Sequence, residues 1–117
     1  MDTKSNNIYY GPGYWAVMHI ESYNARTYEQ KIIASNTISR IISTFPCKLC
    51  REHGIEYASQ HPFIYACNDY DVLSLFRWVW SFHNHVNKRI KKPHMPFEAA
   101  VKYWGDSSIC KDSYCNE

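Results

Sequence analysis

Apolar positions along the chain recur at helical spacing, and no segment shows the period-two alternation of a strand. Ile38, Ile41, Ile42 and Phe45 fall at i, i+3, i+4 and i+7 and predict one buried stripe on a helix from about Tyr28 to Thr44. Before it, Gly11-Pro12-Gly13 breaks the chain and sets up a first helix from about Pro12 to Tyr23. Proline suits a first helical turn, where its missing N–H had no partner. Pro46 ends the second helix, because the residue before a proline is pushed out of the helical region. It then opens a third, about Cys47 to Ser59. His61-Pro62 breaks the chain again. A fourth helix is predicted from about Asp69 to Ile90, capped by Asp69 or Asp71. Its stripe is Val72, Leu75 or Phe76, Val79, Phe82, Val86 and Ile90. Pro93 and Pro96 stop it, and a short fifth helix covers about Phe97 to Trp104. Four amphipathic helices with short loops predict an all-α fold, an up-and-down four-helix bundle with a short fifth helix.

A chain of 117 residues has room for one core and not for two. Residues 1–10 read as a flexible lead, 11–104 as the folded domain and 105–117 as a polar tail carrying Cys110 and Cys115. The ten Tyr, four Trp and five Phe are an excess. They suit an aromatic core, a protein interface or a pocket for a flat ring system. A net charge of +2 lacks the concentrated basic face of a nucleic-acid binder. The densest basic run, Lys88-Arg89-Ile90-Lys91-Lys92, fits a solvated helix end or a phosphate clamp. No stretch approaches the ~20 apolar residues of a membrane span. Met1 to Asn7 is polar, without the apolar core of a signal peptide. The chain therefore reads as cytosolic, or as exported by an unusual route. In that setting its five cysteines are expected reduced, metal-bound or redox-active.

Cys47-Lys48-Leu49-Cys50 is a Cys-x-x-Cys pair, which serves either as half a zinc site or as a redox disulfide. A structural zinc needs four ligands, which Cys110 and Cys115, or His53, would have to complete. Cys110 and Cys115 sit in a tail without hairpin signals. Pro46, by contrast, places Cys47 at a helix start, where unpaired N–H groups and the helix dipole stabilise a thiolate. A thiolate is the species that attacks and leaves in disulfide exchange. A thioredoxin-like fold would need strands around this motif, so the pair sits on a helical scaffold.

Three motifs then stand in order. Gly11-Pro12-Gly13-Tyr14-Trp15 with His19 is similar to a Gly-Pro-x-x-Trp-x-x-x-His opening. Phe45-Pro46-Cys47-Lys48-Leu49-Cys50-Arg51-Glu52-His53 is similar to an aromatic-Pro-Cys-x-x-Cys-x-x-His segment. Trp78 through His83-Asn84-His85-Val86-Asn87 to Lys92-Pro93 resembles a Trp-x4-His-Asn-x-Val-Asn-x-x-Leu-x-Lys-Pro run. Together they resemble the Erv/ALR family of FAD-linked sulfhydryl oxidases. The resemblance implies a helical bundle holding FAD beside the disulfide and electron transfer from thiols to oxygen, giving hydrogen peroxide. It implies Cys47 as the interchange thiol and Cys50 as the flavin-proximal one. It implies Gly11, Trp15, His19, Tyr23, His53, His83, Asn84, Val86, Asn87, Lys88, Lys91 and Trp104 as cofactor contacts, with Lys92 beside them. It also implies a homodimer packed through the first two helices. Exposed apolar and Tyr residues near Ile20, Tyr23, Tyr28 and Ile32 are compatible with such a face. Partners would be protein thiols or a thioredoxin-like donor, with no nucleic acid and no membrane.

The chain departs from the family in places. Cys67 has no obvious partner and reads as a buried thiol. Pro93 is followed by His94-Met95-Pro96, without the further cysteine pair of many family members. Cys110 and Cys115 suit a mobile shuttle disulfide or a passive staple. The brevity resembles versions encoded by large cytoplasmic DNA viruses. Two readings compete with the oxidase: a zinc-binding helical interaction module using Cys47, Cys50, Cys110 and Cys115, and a helical adaptor with structural disulfides.

Overall fold

The computed structural model describes residues 3–105, with side chains from residue 11 onward. Among these residues the chain is all-helical: α1 Thr3–Tyr23, α2 Tyr28–Thr44, α3 Lys48–Gln60, α4 Phe63–Asn68, α5 Ser74–Arg89 and α6 Phe97–Gly105. The expected second, third and fifth helices lie within a residue or so of their predicted bounds. α1 begins earlier than expected, so Pro12 sits inside a helix and forfeits one ladder hydrogen bond.

The stretch read as the start of the fourth helix is instead α4 followed by a turn. Asp69 Oδ1 accepts from the Asp71 N–H at 2.8 Å, and Asp71 Oδ1 from the Leu73 N–H at 2.9 Å. Both carboxylates therefore stabilise Asx turns, which bend the chain, rather than cap a helix. α5 starts five residues later, behind Leu73, with no side-chain cap. Val72 and Ile90 fall off the buried stripe and are exposed, while Leu75, Phe76, Val79 and Phe82 lie on it.

α1 packs on α2 and α5, α2 on α3 and α4, and α6 on α1 and α5. Met18, Ile38, Ile42, Tyr57, Leu75, Trp78, Val79 and Phe82 form the shared core. Gly54 permits the close approach of α3: a Cβ there would lie 2.8 Å from Ile42 Cγ2 and 3.4 Å from Phe82 Cζ. The capping box of α2 is complete, with Thr27 and Gln30 each bonding the other's backbone N–H.

One core residue was not legible in the apolar pattern. Lys31 on α2 is 2% exposed. Its Nζ donates to the Asp69 and Asp71 carbonyls, both at 2.8 Å. A buried cation is tolerable only when hydrogen-bonded, and the Asp71 carboxylate adds a favourable charge nearby. The ammonium thereby staples α2 to the turn between α4 and α5.

Candidate active site

Phe45 is the C-cap of α2 and Cys47 the N-cap of α3, so the Phe45-Pro46-Cys47 corner fixes where the redox pair stands. Cys47 Sγ accepts from the Cys50 N–H at 3.3 Å, using the sulfur as a helix cap. The Cys50 thiol points at Cys47 Sγ, 2.6 Å away. Burial pushes the Cys47 thiol up. The Cys50 thiol, the Cys50 and Leu49 N–H groups and the Arg51 guanidinium outweigh it and hold Cys47 below the usual thiol range. The two cysteines differ in exposure, as an i, i+3 pair at a helix start should, but in the opposite order to the expected one. Cys47 is 5% exposed and Cys50 is half-buried.

Beside this corner lies an aromatic cluster. Consecutive residues of α1 reach both: Tyr14 packs on Phe45 with centroids 5.1 Å apart, and Trp15 stacks on His83 of α5 at 3.9 Å and 8°. His19, one turn further along α1, stacks on Trp104 of α6 at 4.8 Å and 11°. Its Nε2 meets His83 Nδ1 at 2.9 Å. His19 is 1% exposed, and its Nδ1 is a buried polar atom without a hydrogen-bond partner among the described residues. Burial, with His83 adding repulsion, lowers the His19 pKa to about 3. Burial, with Lys92 adding repulsion, lowers that of His83 to about 4. At neutral pH the cluster therefore presents two uncharged imidazoles.

A cleft of about 220 Å³ opens on this cluster, with Trp80, Asn84, Met95 and Tyr103 completing its wall. A second cleft, of about 490 Å³, also borders Asn84 and lies between Tyr57 of α3 with its C-cap His61 and His85 and Lys88 of α5.

The structure thus joins Trp15, His19, His83 and Trp104 directly. Asn84 borders both clefts, but its amide grips the loop after α5: it donates to the Met95 carbonyl at 2.9 Å and accepts from the Met95 N–H at 2.8 Å. Asn87 is buried, and Val86 is half-buried against the core. Tyr23 packs edge-on against Phe76, away from the redox pair. Lys88 and Lys92 line the larger cleft, and Lys91 and Lys92 form the turn that ends α5. Gly11 faces open space, and His53 is half-buried without lining either cleft. Cys110 and Cys115 lie outside the described residues, as does any zinc site that depends on them. Among the described residues, no three His, Cys, Asp or Glu side chains converge as metal ligands. Sequence reasoning missed Trp80, whose indole N–H donates to the Met95 carbonyl at 2.7 Å. It also missed Tyr103 and Arg51. Trp80 sits in the quoted Trp-to-His run and Arg51 in the quoted Cys-x-x-Cys segment, and these were the signals available.

Comparison with known proteins bears on the same residues. The model of the Erv1 / Alr family matches residues 12–105, which hold both the redox pair and the aromatic cluster. An FAD-linked sulfhydryl oxidase of African swine fever virus is 30% identical over 88 residues, covering 73% of this chain and 71% of its own. The protein of that name from a second isolate is 28% identical over 88 residues, with the same coverage of 73% and 71%. A protein of invertebrate iridescent virus 6, provisionally named an FAD-linked sulfhydryl oxidase, is 28% identical over 105 residues, 81% of this chain and 91% of its own. The chain belongs to the Erv1/Alr family.

Proposed function

We infer that this chain is an FAD-dependent thiol oxidase that forms protein disulfides and passes the electrons to oxygen, giving hydrogen peroxide. The observation that carries the reading is the Cys47–Cys50 contact at the capped start of α3, one α1 residue away from a cluster of flat rings. The cluster suits FAD on its own chemistry. His19 Nδ1 is a buried polar atom in want of a partner, and such atoms are rarely left unsatisfied. Trp15, His83, His19 and Trp104 offer ring faces to a planar ligand. Trp15, His19, His83, Asn87 and Trp104 would hold the cofactor. Lys88, Lys91 and Lys92 would serve its phosphates, with Gly11, Tyr23, His53, Asn84 and Val86 as outer candidates. When bound, FAD supplies the two-electron acceptor that restores the disulfide and hands the electrons on to oxygen.

The chain's own residues carry the thiol chemistry. A substrate thiolate attacks the Cys47–Cys50 disulfide at Cys47 Sγ, and Cys50 departs as a thiolate. The substrate's second thiolate then attacks its own sulfur in the mixed disulfide, and Cys47 departs as a thiolate. The substrate has lost two electrons and two protons, and the pair has gained the electrons. The hydrogen bonds gathered on Cys47 favour its departure. Leu49, 63% exposed between the two cysteines, marks the surface a substrate meets.

Protein thiols, or a thioredoxin-like donor, are the proposed substrates. A homodimer through α1 and α2 is also proposed. Ile20, Tyr28 and Ile33 are exposed on these helices; Ile32 and Tyr23 are half-buried. Cys110 and Cys115 are proposed as a shuttle disulfide. No helix among the described residues is long and apolar enough to cross a membrane. The absorption spectrum of the purified chain tests the reading together with oxygen uptake on a dithiol. A flavin spectrum and turnover that vanishes in Cys47→Ser and in Cys50→Ser are expected, with flavin retained in Cys47→Ser. A colourless protein carrying stoichiometric zinc would favour the zinc module over the oxidase.

A further inference from the structure

Arg51 follows the redox pair directly, and no step above uses it. Its backbone N–H donates to the Cys47 carbonyl at 2.9 Å, as a first-turn residue should. Its side chain does something less usual. Nη1 folds back to donate to the Phe45 carbonyl at 2.6 Å, across the α2–α3 corner. Phe45 is the C-cap of α2, so this carbonyl has no helical donor of its own. The clamp leaves a half-buried guanidinium fixed at the end of α3 where Cys47 is the cap. Arginine stays charged at any working pH and offers several donors in one plane. It can therefore hold the carbonyl and keep its charge at the corner two residues before Cys47.

We propose that Arg51 is a positioning residue for Cys47: clamped on the Phe45 carbonyl, it holds a permanent positive charge where the Cys47 thiolate is released. The consequence rests on the thiol-oxidase reading. When the substrate's second thiolate attacks the mixed disulfide, the S–S bond to Cys47 breaks and the electron pair goes to Cys47 Sγ. A better-stabilised leaving thiolate departs faster, and stabilising the reduced form makes the pair a stronger oxidant. The direction of the Cys47 shift, to which Arg51 contributes, agrees with this placement. The groups acting on Cys47 among the described residues are the Cys50 thiol, the N–H groups of Leu49 and Cys50, and Arg51.

Two substitutions separate charge from clamp. Arg51→Gln keeps a donor for the Phe45 carbonyl and drops the charge. Arg51→Lys keeps the charge and drops the planar fork. Both are made in a Cys50→Ser background, so that Cys47 titrates alone, and alkylation of Cys47 is followed against pH by peptide mass spectrometry. Arg51→Gln should raise the alkylation midpoint and slow the reaction at pH 7. Arg51→Lys should stay near the parent. An Arg51→Gln midpoint equal to the parent's overturns the proposal, as does an Arg51→Lys shift as large as that of Arg51→Gln. Should Arg51→Gln fail to fold, Arg51→Met, which keeps the apolar stem, serves as the charge-free variant. This readout needs neither flavin nor oxygen. An unmoved midpoint therefore sinks the role of Arg51 alone, whereas a folded chain with both Cys47 and Cys50 intact that oxidises no dithiol sinks the oxidase reading.

Discussion

Mild acid should loosen this protein through one histidine. His19 is held at a pKa of about 3 in the folded chain by burial and by His83. An unfolded histidine titrates near 6.5. The folded state therefore binds fewer protons than the unfolded state throughout the window between these values. Stability is fully present above about pH 6.5 and falls as pH drops towards the folded value. At pH 5 the unfolded imidazole is about 1.5 units below its own midpoint. At ~1.36 kcal/mol per unit this costs about 2 kcal/mol. His83, lowered to about 4 mainly by burial, shifts in the same direction and adds to the loss, so about 2 kcal/mol is the share of His19 alone. With an urea slope of about 2 kcal/mol per molar, the midpoint at pH 5 should lie about 1 M below that at pH 7. The assay is urea unfolding followed by helical circular dichroism at pH 7, 6 and 5. Its comparison is His19→Gln, which keeps a polar side chain but does not titrate. The variant should start lower and lose less on acidification. If parent and variant lose the same amount between pH 7 and 5, His19 is not held neutral by its site, and the electrostatic account of the cluster fails.

Other expectations come from particular contacts. Gly54→Ala drives a methyl into Ile42 and should cost about 1–3 kcal/mol by overpacking, partly offset by ~1 kcal/mol of helix propensity; an unchanged melting temperature would show that α3 can slide. Lys31→Met keeps the stem but strips the Asp69 carbonyl of its donor, at about 1–3 kcal/mol, read as a lower urea midpoint. Removing residues after Ser108 should spare oxidation of dithiothreitol and slow that of a folded protein thiol, if the tail cysteines shuttle electrons; equal rates on both would make the tail dispensable. A scattering mass that stays at the 13.8 kDa monomer over micromolar concentrations would reject the proposed dimer.

The helical pattern was legible where the chain's own punctuation agreed with its periodicity. Pro46 and Pro62 do in space what they suggest in sequence: one leaves Cys47 as the cap of α3, the other caps α4. Asp69 and Asp71 were misread because a carboxylate before an apolar run can cap a helix or close an Asx turn, and the apolar pattern is the same for both. What decides between them is Lys31, which draws the Asp69 and Asp71 carbonyls together from another helix. A lysine in a helix reads as solvated, since its burial depends on acceptors 38 and 40 residues away. No local spacing carries that information.

At the site, residue identity was legible sooner than residue role. His83 and Trp104 were singled out as cofactor contacts, and both stack in the cluster. Asn84 was singled out with them, yet both ends of its amide are taken by Met95. Its work is done through the loop. Lys91, at φ 63°, occupies the left-handed position where helix ends favour glycine. The Lys92 N–H then returns to the Asn87 carbonyl at 2.8 Å, closing the turn. A β-carbon in that conformation costs roughly 1–2 kcal/mol. The turn persists because Asn84 and Trp80 pin Met95 a few residues later and so fix where the loop must go. From there the chain enters α6, whose Trp104 lies on His19. Asn84 thus sets the path by which the outer ring reaches the inner one. A side-chain grip on backbone 11 residues away has no periodicity to betray it, so the motif that singles out this asparagine is silent on its hold on the loop.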